Sequence, residues 1–315
     1  MMLDSKLTFH SHLLSKNGKL SAARQGLGLM KQLKKWVCPS ALETIYISYV
    51  RPHLDYGDII FHSANLNKQR VYDHETTSEL LKQVESIQYD AGRIITGAWK
   101  GSSREKLYND LGWVSLNNRR IMRKLCLLHE TFHTNFPRYL NDIINEVRPI
   151  SARMDNQQFI NSIPHSTEYF QRTFFPSTII DWNRKELDGI RNIKSESVFK
   201  NRLLCKMRPK KIPFFGLSDH NRVRHISMLR MSLSPLNAHK FAYNFPGAIS
   251  ASCISCGNEE TTNHYLLTCI SYRLSRATMF QDVSEIIGVD ISTLPMKTRT
   301  SILLYGKGDL NDDEN

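Results

Sequence analysis

The sequence predicts a mainly α fold made of a helical bundle, a small α+β region and a C-terminal segment held together by a metal ion. Three observations predict it. Apolar residues recur at helical spacing through the first 140 positions, whereas 150–195 are rich in aromatic and β-branched residues interrupted by prolines. Near the C-terminus, three cysteines and one histidine fall within 17 residues.

Consecutive helices are predicted for the N-terminal half. A basic amphipathic run covers 12–36. Ser40 and Glu43 form a capping-box pair that predicts a helix to about residue 51, where Pro52 would break or kink it. Three further helix starts carry a serine or threonine at the expected cap position, namely Thr76, Ser102 and Ser115. The last of these helices is predicted to reach about His133.

The C-terminal half has a less regular pattern. We expect short strands within 159–183, a helix at 201–207, a linker with two prolines and a glycine at 209–221, and a helix at about 275–288. These differences divide the chain into four regions: a helical domain at 1–140, a mixed α/β connector at 141–208, a basic linker with the Cys/His segment at 209–290, and a tail at 291–315 that is acidic and disordered at its end.

Basic residues outnumber acidic ones. The 315 residues include 42 lysines and arginines against 30 acidic residues, a formal net charge of +12. The excess is uneven, because 200–231 hold nine basic residues and one acidic residue, and the first 36 residues hold seven and one. Such stripes suit a polyanion bound through its phosphates, although a solvated surface has the same composition. A hydrophobic fraction of 41% is enough for a core and excludes disorder throughout.

Eight basic residues are the candidate contacts to nucleic acid. Arg119 and Arg120 are adjacent guanidinium groups on a predicted helix, which suits phosphate oxygens. The other six lie around the predicted linker: Lys206, Arg208, Lys210, Lys211, Arg222 and Arg224. The alternative for all of them is ordinary surface charge. Trp113, Trp182 and Tyr169 could stack on bases, but the apolar flanks of Trp182 favour a core position.

The stretch CISCGNEETTNHYLLTC predicts a metal site. Cys253, Cys256, His264 and Cys269 supply three thiolates and one imidazole, a common closed ligand set for structural zinc. Gly257 follows the Cys-x2-Cys pair and suits a backbone that folds back over a metal. A full ligand set leaves no open coordination position, so one structural zinc is expected and no catalytic metal. The alternative is a group of free cysteines with a chance histidine.

The remaining cysteines and histidines have ordinary explanations. Cys126 and Cys205 lie in apolar helical patterns, where a free cysteine packs as a small hydrophobe. His220, His225 and His239 precede the Cys/His segment and are taken as surface or core residues. The N-terminus has no signal-peptide pattern and no apolar run approaches the length of a membrane span. We therefore expect a reducing compartment, nucleus or cytoplasm, without membrane contact or disulfides.

Nine stretches of this sequence, taken in order, resemble those of a known protein family. They are LDSKLTFHSHL, YVRPHLDYGDIIF, QVESIQYDAGRIITG, GSSREKLYNDLGWVSLNNRR, FPRYL, TFFPSTIIDWN, SVFKNRLL, RHISMLRMSLSPLNAHKF and HYLLTC. In this order and spacing they resemble the C-terminal part of the reverse-transcriptase polyprotein of animal non-LTR (LINE-type) retrotransposons. The resemblance covers residue 3 to about residue 277.

The resemblance implies a fold and a partner. In that family the helices after LDSKLTF form the thumb and connector, so the helical domain is expected to be thumb-like and to hold RNA or an RNA–DNA hybrid. The family's Cys/His segment is zinc-knuckle-like, and its four ligand places fall on Cys253, Cys256, His264 and Cys269. The spacing from Cys256 to His264 is longer than in the retroviral nucleocapsid knuckle. A nucleocapsid-like fold is therefore not assumed.

The catalytic residues of such a polymerase are missing from this sequence. The family holds its metal ions with two adjacent aspartates on a palm hairpin, and the adjacent acidic residues here are Glu259–Glu260 and the terminal acids from Asp312. Asp55 and Asp58 have no palm around them and are a poor substitute. We expect no catalytic residue and no polymerase activity from this chain alone, with the palm, fingers and any endonuclease lying upstream.

Four hypotheses remain open at this point. The first is a binding fragment whose thumb-like helices and zinc module hold RNA or an RNA–DNA hybrid mainly through phosphates. The second is a subunit or remnant of an RNA-directed DNA polymerase that is active only with an upstream palm. The third is a helical protein-interaction module whose charge aids solubility. The fourth is a decayed element without a function.

Overall fold

The chain is mainly helical, as the sequence predicts. The computed structural model describes residues 1–2, 5, 9–64, 79–146, 159–171, 173–209 and 219–306. Within these ranges the only strand-like pairing is one antiparallel bridge between Ser252 and Glu259. The chain divides into two compact units. Unit 1 comprises 1–37, 41–92 and 108–211, and unit 2 comprises 38–40, 93–107 and 212–315.

Twelve helices are described between residues 10 and 207. They are α1 (His10–Leu14), α2 (Lys19–Leu33), α3 (Pro39–Ile45), α4 (Arg51–Asp55), α5 (Asp58–Ala64), α6 (Glu79–Thr96), α7 (Arg104–Leu111), α8 (Leu116–Thr134), α9 (Arg138–Glu146), α10 (Glu168–Gln171), α11 (Phe174–Trp182) and α12 (Glu196–Met207). The C-terminal end of α6 and the N-terminal end of α7 belong to unit 2, and the remainder of both helices belongs to unit 1.

Helix α8 is the centre of the unit 1 core. The hydroxyl of Ser115 accepts the backbone N–H of Asn118, so the predicted cap is confirmed. Leu125 and Leu128 recur at helical spacing and are buried with the side chains of α11 and α12. The side chain of Trp182 is completely buried among these helices. Burying such large apolar side chains provides the main stabilisation of unit 1.

The predicted break at Pro52 is wrong. The chain stays helical through a π-helical turn at Tyr46–Val50 and continues directly into α4. Proline has no N–H to donate, but Pro52 lies in the first turn of α4, where no intrahelical donor is required. The widened turn before it accommodates the proline without ending the helix. The helix also begins at Pro39, one residue before the predicted cap Ser40.

The strands expected within 159–183 do not form in the part of this stretch that the structure describes. Instead, α10 and α11 occupy it. Pro176 sits in the first turn of α11, where its missing N–H costs nothing. Ile179 and Trp182, three residues apart, then face the core together. Tertiary burial therefore overrides the β propensity of the aromatic and β-branched residues.

In the described part of unit 2 there are four further α-helices: α13 (His220–Arg230), α14 (Asn237–Ala242), α15 (Arg273–Ile287) and α16 (Met296–Tyr305). The guanidinium of Arg230 donates to the carbonyl of Leu304 at 2.9 Å and lies 4.0 Å above the Tyr305 ring. This contact ties α13 to α16. Sequence reasoning places α15 correctly but assigns the residues of α16 to the tail.

Several sequence predictions lie outside the described residues. These are the helix start at Thr76, most of the 209–221 linker and the acidic end of the tail. No helix among the described ranges is long and apolar enough to cross a membrane.

Unit 1 buries a lysine beside its core. Lys124 on α8 is 1% exposed, and its ammonium group donates to the hydroxyl of Ser177 at 3.3 Å. Burial lowers the pKa of Lys124 from 10.5 to about 8, despite the opposing attraction of Asp181. The charged form of Lys124 is therefore disfavoured in the folded state.

Replacing Lys124 should change the pH dependence of stability. Between pH 8 and 10.5 the unfolded chain holds the Lys124 proton more tightly, so the free energy of unfolding should rise with pH in this window. The variant Lys124→Met should lose this rise and be more stable at pH 7 by up to about 3 kcal/mol. Denaturant unfolding at several pH values measures both effects.

The control is Lys82→Met, which replaces an exposed lysine on α6. It should keep the wild-type pH dependence. If the free energy of unfolding of Lys124→Met rises between pH 8 and 10.5 as much as that of the wild type, Lys124 does not have the lowered pKa assigned to it.

Candidate metal centre

The Cys-x2-Cys pair sits on a tight turn that closes a short hairpin. The backbone N–H of Cys253 donates to the carbonyl of Asn258 at 2.7 Å, and the N–H of Gly257 donates back to Cys253 at 2.9 Å. Gly257 has a φ of 75°, a left-handed conformation that glycine adopts without strain. The turn therefore directs the side chains of Cys253 and Cys256 to one side of the backbone, as the sequence predicts from Gly257.

His264 and Cys269 come from a π-helical turn at His264–Thr268 and the residue that ends it. The N–H of Cys269 donates to the carbonyl of His264 at 2.8 Å, so the two residues lie on the same face of the turn. The guanidinium of Arg276 on α15 donates to the carbonyl of Cys269 at 2.8 Å. This bond holds the end of the turn against α15.

The four predicted ligands converge. Their sulfur and nitrogen atoms all lie within 4.8 Å of one another. Cys253 Sγ is 3.8 Å from Cys269 Sγ, and Cys256 Sγ is 3.2 Å from His264 Nε2. A tetrahedral ion with metal–sulfur bonds of about 2.3 Å separates two sulfurs by about 3.8 Å and a sulfur from a nitrogen by roughly 3.5 Å. The group therefore fits a single metal ion after small side-chain rotations.

Hydrogen bonds prepare these side chains for a metal. His264 directs Nε2 toward the other ligand atoms. Its Nδ1 then carries the proton and donates a hydrogen bond to the Thr268 hydroxyl, with 3.1 Å between Nδ1 and Oγ1. The backbone N–H of Ser255 and the side chain of His264 lower the pKa of Cys253 to about 6. Metals bind thiolates, so the lowered pKa of Cys253 favours the form that binds a metal.

The site is enclosed and complete. Cys253, His264 and Cys269 are buried, and Cys256 is partly buried. Four converging protein ligands fill a tetrahedral shell and leave no position for a substrate or an activated water. The arrangement therefore fits a structural metal ion.

Neighbouring helices are attached to the metal-binding segment through polar contacts. Glu260 accepts the backbone N–H of Asn237 at the start of α14, at 2.7 Å, while the Asn237 side chain donates to the carbonyl of Ser252 at 2.8 Å. On the other side, the hydroxyl of Thr300 on α16 lies 2.8 Å from Asn263 Oδ1. The segment that carries the ligands thus connects three helices of unit 2.

Sequence reasoning misses the supporting residues of this site. Thr268 and Glu260 act through the ligand segment and are not ligands. A threonine four residues after a ligand histidine could have indicated the Nδ1 contact, because residues at this spacing lie on one face of a helix. His239, left aside as an alternative ligand, instead contacts the hydroxyl of Ser234 through Nδ1 at 2.7 Å.

A scan against protein-family models and searches of curated proteins and of solved structures find no match to this chain. The resemblance to retrotransposon reverse transcriptases therefore rests on the sequence stretches alone. The arrangement of the ligand atoms is an independent structural observation about the same C-terminal segment.

The two candidate arginines on α8 have different surroundings. Arg119 donates to Asp55 at 2.8 Å. Arg120 is 1% exposed, and its guanidinium lies 5.5 Å from the centre of the Phe61 ring. A guanidinium enclosed in this way has no access to a phosphate, so we leave Arg120 out of the proposed nucleic-acid surface. Arg123 bridges Asp55 and Asp58, whose carboxylates are thus occupied by ion pairs.

The other candidate basic residues are distributed over both units. Lys206 donates to the carbonyl of Glu186, and Arg208 donates through Nε to the carbonyl of Gly112 at 2.9 Å; both side chains are exposed in unit 1. Arg222 and Arg224 are exposed on α13 in unit 2. Lys210 and Lys211 lie outside the described residues.

Two of the three aromatic residues considered for base stacking are buried. These are Trp113 and Trp182, and Trp113 donates its indole N–H to Glu43 at 2.9 Å. Neither ring is therefore available to a base. The side chain of Tyr169 lies outside the described part of the chain.

Removing one ligand should unfold the C-terminal unit locally. We expect Cys256→Ser to speed amide hydrogen exchange across 245–275, because the segment has little apolar surface to hold it without the metal. Amides of α8 should keep their wild-type protection. Hydrogen exchange followed by mass spectrometry measures both regions in one experiment.

The matched control is Cys205→Ser, which replaces an exposed free cysteine on α12. It should leave exchange across 245–275 unchanged. If the Cys256→Ser variant instead loses protection throughout α8 as well, the two units do not fold independently and the account of the fold is wrong.

Loss of the Thr268 hydroxyl should weaken metal binding without removing a ligand. Thr268→Val keeps the shape of the side chain but leaves His264 Nδ1–H without its acceptor. We expect the affinity for zinc to fall by about 10- to 100-fold, measured by competition with a fluorescent chelator. Thr278→Val on α15 is the control and should bind zinc as tightly as wild type. If Thr268→Val and Thr278→Val bind zinc with equal affinity, Thr268 does not support the metal site.

Proposed function

We propose that this chain is a nucleic-acid-binding fragment of a non-LTR retrotransposon reverse transcriptase. Its helical part acts as a thumb, and its C-terminal unit is a structural zinc module. Both contact RNA or an RNA–DNA hybrid, mainly through phosphates. The observation that carries this proposal is the convergence of Cys253, Cys256, His264 and Cys269 at the end of a strongly basic chain.

Zinc is the proposed ion because of the ligand chemistry. Three thiolates with one imidazole select a soft or borderline ion, and tetrahedral geometry with sulfur and nitrogen ligands is typical of structural zinc. The ion stabilises the fold of the 253–269 segment and takes no part in catalysis. The basic side chains around it then have a rigid support.

Charge supports nucleic acid as the partner. A net charge of +12 attracts a polyanion, and exposed Arg222 and Arg224 on α13 offer guanidinium groups for phosphate oxygens. In unit 1 the exposed candidates are Lys206 and Arg208, while Arg119 is partly exposed beside Asp55. Contacts of this type bind with little sequence selectivity.

On its own the chain is proposed to lack polymerase activity. The adjacent aspartates of this sequence, Asp312 and Asp313, lie in the acidic tail and are not preceded by the aromatic and small residues of a polymerase palm. Asp55 is paired with Arg119 and Arg123. Polymerisation would require a palm supplied by another domain or subunit, which is then a further partner. The proposed location is the nucleus or cytoplasm, where the RNA partner is found.

One observation favours a second function. The 15-residue helix α15 has no buried residue, and its Leu274 and Ile286 are more than four-fifths exposed. Exposed apolar side chains of this size are typical of protein-interaction surfaces. A helical protein-interaction module is therefore the alternative.

Salt dependence distinguishes the two functions. We expect binding of a fluorescein-labelled single-stranded RNA to weaken strongly as salt rises, because bound phosphates release counterions. Replacing Arg222 and Arg224 by glutamine should reduce the slope of log affinity against log salt by about 1.4, at roughly 0.7 per lost contact on a single strand. Fluorescence anisotropy across a salt series measures the slope.

Arg138→Gln, at an exposed arginine on α9, is the control and should keep the wild-type slope. Affinity that does not change between low and high salt would contradict the proposal and favour the protein-interaction module. Template-dependent DNA synthesis by the purified chain in a primer-extension assay would contradict the absence of activity.

A further inference from the structure

An aromatic pair lies at the surface of unit 2. Trp99, in the segment between α6 and α7, places its ring 4.6 Å from the ring of Phe245, with the two planes tilted by 39°. Phe245 lies just after the end of α14 and is 37% exposed. The chain is exposed throughout 241–247, and Tyr243 in this segment is 55% exposed. The pair therefore consists of an exposed Phe245 and a partly exposed Trp99 in contact with each other.

Backbone contacts hold these rings in place. The N–H of Phe245 donates to the carbonyl of Lys240 at 2.9 Å, and the N–H of Tyr243 donates to His239 at 3.2 Å. Trp99 follows Gly97, which has a φ of 71° and turns the chain after α6. The rings are therefore carried by two anchored turns.

A basic side chain borders the pair. A Cβ on Gly97 would lie only 2.5 Å from Cγ of Arg224, so the aliphatic stem of Arg224 packs directly on this glycine. Arg224 and Lys100, the neighbour of Trp99, are both exposed. Arg222 pairs with Asp219 at 3.2 Å on the exposed surface, and Arg224 is the arginine of α13 that packs on the turn before Trp99.

The segments that carry the pair and Arg224 hold more basic than acidic residues. Residues 97–104, 220–230 and 237–249 contain no aspartate or glutamate, although Glu105 and Asp219 flank them and Glu260 accepts the backbone N–H of Asn237. Lys100 and Arg224 are the exposed charges that stand next to Trp99 and Gly97. This surface suits a ligand with both flat rings and negative charges.

We propose that Trp99 and Phe245 form a platform that stacks an unpaired base of a single-stranded nucleic acid, while Arg224 and Lys100 contact the flanking phosphates. This proposal rests on the proposed nucleic-acid-binding function and adds the form of the ligand. A base can stack on a protein ring only when it is not paired and stacked within a duplex. The platform therefore selects single strands, whereas phosphate contacts alone do not.

The test compares Phe245→Leu with Arg224→Gln. The probes are labelled uridine and deoxythymidine oligomers of about 12 nucleotides and a duplex RNA of the same length. Phe245→Leu keeps an apolar side chain but loses the ring, so affinity for single strands should fall by about 5- to 100-fold with an unchanged salt slope. Its duplex affinity should equal that of wild type.

Arg224→Gln should weaken binding to single strands and duplex alike and should lower the salt slope. Phe170→Leu, at a partly exposed phenylalanine of α10, is the matched control and should bind as wild type. Trp99→Leu, at the other ring of the pair, is a second platform variant, and the zinc content of every variant shows that unit 2 is folded.

The outcomes separate the two proposals. Loss of affinity for both oligomers in Phe245→Leu supports base stacking, and loss for the uridine oligomer alone supports a platform for RNA. If Phe245→Leu and Trp99→Leu bind single strands as wild type while Arg224→Gln binds weakly, the platform is refuted and the nucleic-acid function stands. If the wild-type chain binds none of the three probes, both are refuted.

Discussion

The organisation of the C-terminal part of unit 2 depends on four ligand atoms being held within 4.8 Å of one another. The last two helices of this unit bury little apolar surface: α15 has no buried residue, and Ile302 is the buried residue of α16. Helices with so few buried side chains gain little from the hydrophobic effect. Bonds to a metal ion would supply the missing free energy, since metal binding and folding are coupled in such segments. The polar contacts of Asn237, Arg276 and Thr300 then transmit this stabilisation to α14, α15 and α16.

Unit 1 is stabilised in a different way. Helix α8 buries Leu125 and Leu128 against Trp182 and Phe199, and it carries charged groups along its length. Arg123 pairs with Asp55 and Asp58, whereas Lys124 is buried with a single hydroxyl partner nearby. Buried ion pairs contribute little net stability, but they disfavour other arrangements of the helices because an unpaired buried charge is costly. A binding surface formed on this unit would therefore have a fixed shape.

Local signals in the sequence predict a large part of this structure. The Ser115 cap and the apolar spacing predict α8, and the ligand spacing with Gly257 predicts the convergence of the metal-binding residues. The failures have a common physical cause, because they depend on tertiary contacts. The π turn at Tyr46–Val50 lets the helix continue through Pro52. Burial of Ile179 and Trp182 makes a stretch with high β propensity helical. Helix α16 has no amphipathic pattern from which it could be predicted. For the same reason, nothing in the sequence separates partly exposed Arg119 from buried Arg120, or indicates that Trp99 contacts Phe245.

Zinc K-edge X-ray absorption on the purified, reduced chain tests the central claim most directly, because it identifies the atoms bound to the ion. The account predicts three sulfur scatterers at about 2.3 Å and one nitrogen scatterer at about 2.0 Å. A first shell made only of oxygen and nitrogen, or a chain that retains no zinc while folded, would contradict it. The segment that carries the four residues, and α15 and α16 attached to it, would then have to be stabilised by something other than the metal.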